Sequence, residues 1–294
     1  MAGSTEDNTA TDGPRANSGP LSVIFPGSDP VIREARKIVG DNEKRMDAAA
    51  EIVEKDPVAV IEFLKTANAL AYTEGKPPVT TTRGAIVRLG ATSSIEVLDR
   101  VKEFPKLENE DIAKLFEEAR KRCQMVAETA KLIAGLKAQN LADDCYTAGL
   151  LKNIGELVAI LHLGEVYLQI VTTNKSRAQV LYRLEKDHSF DIEKSTVAYL
   201  RRAGITDNLL FAVDPEAQTK TPNRAVMKPV VSAAMEMVIA FDSNRWDKIA
   251  PDKNLPPKST IRMLNLSDSQ YESLYDKVGE ILFQIDPEKR EQTK

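Results

Sequence analysis

Apolar positions along this chain recur every three or four residues, and no run alternates with period two long enough to support a sheet. The helical pattern begins at Phe25. Asp29-Pro30 opens the first predicted helix, with Asp29 as N-cap and Pro30 at the first helical position, where its missing N–H costs nothing; Gly40 closes it. Asn42 caps a second helix through Met46, Ala50 and Val53. Asp56-Pro57 starts a third, which carries Ile61, Leu64, Ala67 and Ala71 at helical spacing. Pro77-Pro78 forces an extended turn. A short helix through Ala85, Ile86 and Leu89 then stops at Gly90, and Thr92 or Ser93 caps the next. A long helix is predicted from about 109 to 137, with Glu110 and Asp111 in the first turn, where the helix dipole favours acids. Another spans about 142 to 163 and ends at Gly164. Ser176 and Phe190-Asp191 precede two more, the second closing at Arg201-Arg202-Ala203-Gly204. A C-terminal pair covers about 223 to 242 and 268 to 285. The last begins with a capping box, Ser267 and Gln270, and Leu266 can staple to Tyr271. The predicted fold class is all-α, with no fixed-period repeat.

Composition narrows the picture. Residues 1–20 are small, polar and rich in turn formers, so they are expected to form a disordered tail. The net charge of −4, from 40 Lys and Arg against 44 Asp and Glu, argues against a surface built for nucleic acid or anionic lipid. Cys123 and Cys145 cannot form a disulfide framework and belong to no CxxC pair, so both read as helix-packing thiols. The longest apolar stretches, such as 230–241, are short and interrupted by Glu236, so no membrane span is expected. Residues 1–20 also lack the basic-then-apolar order of a signal peptide. These features lead to the expectation of a soluble, cytoplasmic protein.

Familiar catalytic motifs are absent. The chain has no GxxxxGK[ST] phosphate loop, no GxGxxG after a strand and no GxSxG elbow. Its two histidines read as structural: His162 falls in the last turn before Gly164, and His188 lies in the polar stretch 185–189. The basic runs Arg120-Lys121-Arg122 and Arg201-Arg202 lack aromatic neighbours for base stacking and read as solvated faces.

Three other patterns carry information: Asp56-Pro57 followed by Leu64-Lys65-Thr66-Ala67-Asn68-Ala69; Val79-Thr80-Thr81-Thr82 leading into Ala85-Ile86-Val87-Arg88-Leu89-Gly90; and the stretch from Ala148 to Leu157. In the last, Gly149 and Gly155 are read inside one helix, where each costs about 1 kcal/mol against alanine. That cost implies that another helix approaches the backbone closely. Leu150, Ile154, Leu157 and Leu161 form the predicted buried stripe, and Gly149, Lys152, Asn153 and Glu156 share the adjoining face. Taken together, the order DP…LKxAN…T…AIxxLG…AGLLxxIGxL resembles the HDOD family, all-helical bacterial regulatory domains related to the HD metal-dependent phosphohydrolases. The resemblance covers about residues 21–215. It implies an N-terminal helical subdomain over 21–105 packed on a degenerate HD-like subdomain over 106–215, with residues 216–294 adding C-terminal helices.

The resemblance also shows what has changed. Where HD phosphohydrolases place a His-Asp metal pair, this chain has Lys152 and Asn153; the position resembling the first histidine is Arg122, and a further histidine position is Ile192. An ammonium and a guanidinium offer no lone pair and repel a divalent ion, so no metal, no cofactor and no hydrolysis are expected. The family's Asn-Ser pair is Asn68-Ala69, and Asn68 is expected to bond a neighbouring loop. Two functions follow, beside a third, a surviving hydrolase with an unconventional site, which the replaced ligands disfavour. The first is a non-catalytic signalling module in which two helical subdomains meet at the glycine-bearing helix, and an input that shifts their relative packing exposes or hides a surface for a regulatory protein. The second is a sensor in which Arg122, Lys152, Asn153 and Glu156 form a pocket for a nucleotide or another anion. On the bland alternative, Lys152 simply pairs with Glu156 one helical turn away. No receiver, cyclase or kinase sequence is seen, so the expected signal comes from another molecule.

Overall fold

The computed structural model describes residues 23–40, 42–73, 75–174, 176–219, 221–242 and 264–288, and the tail expected over residues 1–20 lies outside them. Among the described residues there are helices and turns and no strand. The all-α expectation holds.

A first group comprises α1 (Asp29–Ile38), α2 (Glu43–Val53), α3 (Pro57–Ala67), the single turn α4 (Leu70–Thr73) and α5 (Thr82–Lys102). Asn42, Asp56 and Thr81 cap α2, α3 and α5 by accepting backbone N–H groups of Arg45, Val58 and Gly84. The expected cap of α1 shifts by one residue. Ser28 takes the cap position, its N–H donates to Asp56 Oδ2 at 2.8 Å, and Asp29 becomes the first helical residue. The predicted break at Gly90 is present as a kink inside α5: Gly90 has φ 72° and ψ 177°, a conformation that only glycine adopts without strain. Ser93 does not act as a cap at this break but accepts the Tyr72 hydroxyl at 3.4 Å.

The second group is built around α6 (Glu110–Lys137), 28 residues long and capped by Asn109. Packed on or beside it are α7 (Ala142–Leu151), α8 (Ile154–Leu163), α9 (Glu165–Thr173), α10 (Arg177–His188), α11 (Ile192–Arg202) and α12 (Asp207–Val213). The C-terminal pair α13 (Met227–Asp242) and α14 (Asp268–Ile285) also packs against α6, and α14 starts with the predicted Ser267–Gln270 capping box. The helix predicted over 142–163 is two helices, α7 and α8, broken at Lys152-Asn153. The third helix, expected to carry Ala71, ends at Ala67 with Asn68 outside the helical conformation, and Ala71 falls in the separate turn α4; the short helices α9 and α12 have no counterpart among the predicted elements.

The two groups meet at α6 and α7. Asp56, fully buried, accepts from Ser28 and Val58, and Arg120 Nε lies 3.6 Å from its Oδ1. Arg120 also donates to the Pro26 carbonyl at 2.6 Å, pairs with Glu117 at 2.9 Å and sits over the Phe116 ring. From α7, Tyr146 donates its hydroxyl to the Glu54 carbonyl at 3.1 Å. Burial pushes the Glu54 carboxyl up to about 7; Lys131 opposes the shift, and Asp143 and Glu128 add to it. The expected solvated face at Arg120-Lys121-Arg122 is therefore corrected. Successive helical residues point about 100° apart, so Arg120 is buried at the junction, Lys121 reaches Asp286 at 3.2 Å and Arg122 turns to Glu156.

Candidate functional site

The sequence places chemistry-bearing side chains around residues 149–156, and the break between α7 and α8 is what gathers them. Asn153 leaves the helical conformation, with φ −112° and ψ 20°, and turns its amide inward. Gly155 follows in the first turn of α8. Its N–H donates to Thr196 Oγ1 of α11 at 2.8 Å, and that hydroxyl donates to the Ile192 carbonyl at 2.9 Å. A side chain from α11 thus satisfies an amide that a helix start leaves without an intrahelical partner. The close approach predicted for both glycines is present, although they lie in different helices. A Cβ on Gly149 would stand 2.9 Å from the Val126 carbonyl of α6, and one on Gly155 would stand 2.0 Å from the Ile192 carbonyl of α11. Both contacts lie within the second group rather than at the subdomain junction. Leu150, Ile154 and Leu157 are buried as expected, while Leu161 is half-buried.

Glu156, only 3% exposed, is the centre of the arrangement. Its Oε1 accepts the Tyr167 hydroxyl of α9 at 2.8 Å and Arg122 Nη2 of α6 at 3.3 Å. Its Oε2 accepts Arg177 Nη1 of α10 at 3.1 Å and the Asn153 amide. Arg177 closes the ring by donating Nη2 to Asn153 Oδ1 at 2.9 Å. Burial alone would push the Glu156 carboxyl up, but Arg122, Arg177, Asn153 and Tyr167 together hold it well below the usual carboxylate range. The same burial and the adjacent Glu156 charge raise the Tyr167 phenol well above its ordinary value and the Cys123 thiol to about 12. Cys145 is likewise raised to about 12 by burial, and both cysteines are free and buried, as expected for packing thiols.

Lys152 stands apart from this ring. It donates to the Val213 carbonyl at 2.9 Å and lies 3.5 Å from Glu193, so neither its expected pairing with Glu156 nor its convergence with Arg122 is present. The reason is the helix break, which removes the one-turn spacing that would have set Lys152 beside Glu156. A cavity of about 280 Å³ opens next to the ring, with Lys152, Asn153 and Arg177 on its wall. Glu185, Asp191 and Glu193 line it too, so carboxylates outnumber cations. Arg177 and Tyr167, two of the four groups that hold Glu156, lie outside the motifs read from the sequence; Arg177 directly follows the Ser176 cap. Asn68, at the end of α3, exchanges two hydrogen bonds with Val79, donating to its carbonyl at 2.9 Å and accepting its N–H at 2.8 Å, as the loop-bonding expectation required. His162 lies exposed in the last turn of α8, and His188 is the last residue of α10.

A divalent metal does not fit here. Arg122 and Lys152 have no lone pair to give, the Asn153 oxygen is taken by Arg177, Glu156 is saturated, and Ile192 is apolar. Among the described residues no three His, Cys, Asp or Glu side chains lie together as a metal site.

A family model for the HDOD domain matches residues 25–202, more than half of the sequence. The chain belongs to the HDOD family. Its HDOD core and flanking helices also resemble solved structures. That of the MmoQ response regulator from Methylococcus capsulatus str. Bath aligns with a TM-score of 0.66 at 14% identity, covering 87% of this chain and 99% of the other. That of a virulence factor from Campylobacter jejuni subsp. jejuni aligns with a TM-score of 0.57 at 18% identity, covering 94% and 97%. At such identities the likeness concerns the fold. No curated protein sequence matches the chain.

Proposed function

We propose that this HDOD protein is a non-catalytic signalling module that acts by binding another protein. The Glu156 ring carries the reading. At positions where the resemblance to HD phosphohydrolases calls for metal ligands, the chain has side chains that are already engaged with one another or with the backbone. None of those positions carries a carboxylate or imidazole to hold an ion or activate a water. The neighbour described as a response regulator agrees with a signalling role. The cavity beside the ring, with its surplus of carboxylates, speaks against a nucleotide or phosphate as the input at this place.

The ring joins α6, α8, α9 and α10 through one buried carboxylate, so a partner that displaces any of these helices must rearrange charged groups that are costly to leave unpaired. Such a site favours two discrete packings over gradual deformation. The test pairs two measurements on the full chain. Affinity capture followed by mass spectrometry is expected to recover one specific regulatory protein. Assay with phosphomonoester and phosphodiester substrates in manganese is expected to show no turnover. Robust turnover without any partner overturns the reading.

A further inference from the structure

Sharing no lining residue with the cavity beside the ring, α1 and the end of α5 enclose a cavity of about 630 Å³. Arg33, Arg36 and Lys37 of α1, Lys102 of α5 and Lys106 beyond it line this groove, against two carboxylates, Asp29 and Glu103. In a chain of net charge −4 this local excess of cations is the reverse of the average. The groove already holds carboxylates of its own chain. Arg36 grips Asp99 with two bonds of 2.6 and 3.2 Å, and Lys106 holds Asp29 at 2.6 Å. Arg33, Lys37 and Lys102 are exposed and form no ion pair among the described residues.

We propose that this groove docks an acidic segment of a partner protein, with Arg33, Lys37 and Lys102 receiving its carboxylates. Spacing supports a peptide. Arg33 and Lys37 are one helical turn apart, about 6 Å along the axis, and every second side chain of an extended segment is about 6.6 Å from the next. Every lining residue except Ile32 is charged, and the surplus of cations among them favours an acidic occupant. The proposal rests on the reading of the protein as an interaction module and supplies the chemistry of its partner.

Fluorescence anisotropy with the full chain and a labelled 12-residue peptide of alternating Glu and Ser tests it. Binding is expected at low salt and is expected to weaken steeply as salt screens the charges. The exposed triple variant Arg33→Glu, Lys37→Glu, Lys102→Glu should lose at least about tenfold in affinity. The control Lys44→Glu, Lys55→Glu, Lys114→Glu carries the same charge change on exposed residues outside the groove and should lose less than about threefold. Circular dichroism checks that both variants fold. No binding by the wild type at low salt overturns the proposal, as does equal loss in both variants. Displacement by tripolyphosphate at concentrations below those of the peptide also overturns it, because the groove would then be a small-polyanion site. A captured regulatory protein retained equally by wild type and groove variant overturns the groove while leaving the module reading standing.

Discussion

Gly155→Ala is expected to be more damaging than Gly149→Ala, and Gly135→Ala is expected to stabilise. At Gly155 the added Cβ would sit 2.0 Å from the Ile192 carbonyl and 2.6 Å from Thr196 Oγ1. Ordinary contact begins near 3.4 Å, so α8 and α11 must separate by more than an ångström. Overpacking of this kind costs about 1–3 kcal/mol. The separation also breaks the 2.8 Å bond from the Gly155 N–H to Thr196, and an orphaned buried amide adds about 1–3 kcal/mol. The gain in helix propensity returns at most about 1 kcal/mol, so a net loss of about 1–5 kcal/mol follows. At Gly149 the nearest atoms are backbone, the Val126 carbonyl at 2.9 Å and Ala127 Cα at 3.0 Å, so α6 and α7 must separate by about half an ångström; a loss of about 1–2 kcal/mol is expected. At Gly135, on the exposed side of α6, nothing lies within 4 Å, and alanine should add about 0.4–1 kcal/mol. Urea unfolding followed by circular dichroism at 222 nm gives the three midpoints and slopes. A Gly155→Ala protein within about 0.5 kcal/mol of wild type, or a destabilised Gly135→Ala protein, refutes the packing argument.

Three further outcomes follow from polar groups that are buried (Glu156) or half-buried (Glu54, Asn68). Because the folded Glu54 carboxyl is raised from 4.5 to about 7, the native state holds a proton that the unfolded chain releases, so stability should fall as pH rises from about 4.5 to about 7. The ceiling of that loss is about 3 kcal/mol; melting curves across this range should flatten for Glu54→Gln, and parallel curves for the two proteins would exclude the effect. Glu156 has the opposite sign. Its folded carboxyl is lowered from 4.5, so its contribution is present above about pH 4.5 and lost as pH falls further. Glu156→Ala leaves Arg122 and Arg177 without their carboxylate and should cost about 3–5 kcal/mol, while Glu156→Gln, which keeps the shape, should cost less. Equal melting temperatures for these two variants would count against the ring. Asn68→Ala removes both bonds to Val79 and should lower stability by about 1–3 kcal/mol, read as a shift in the urea midpoint.

The fold was largely legible because helix starts carry local chemistry. Asn42, Asp56, Asn109, Ser176, Asp191 and Ser267 each accept a backbone N–H at the start of the helix that the sequence assigns to them. The α7–α8 break was missed because residues 145–160 are buried on every face apart from Lys152, so hydrophobic periodicity gave no phase to interrupt. The site was legible in part. Glycine spacing announces close packing correctly, and of the four residues grouped as a candidate pocket, Arg122, Asn153 and Glu156 are brought together while Lys152 is not. Lys152 was misplaced because its partners, Val213 and Glu193, lie 61 and 41 positions further on, beyond the reach of helical spacing. Tyr167 and Arg177 were overlooked for the same reason: a buried carboxylate recruits its donors through tertiary structure, and no local pattern marks them.

Arg120 and Arg122 are both anchored, two positions apart on the long helix α6. Two positions on a helix subtend about 200°, so one guanidinium reaches Asp56 and Pro26 while the other reaches Glu156 on nearly the opposite side. The helix is therefore pinned like an axle with a spoke on either flank. A twist about its axis that shifts one spoke shifts the other in the opposite sense, so torque applied at the N-terminal bundle is felt at the buried carboxylate without any change in the length or shape of the rod between them.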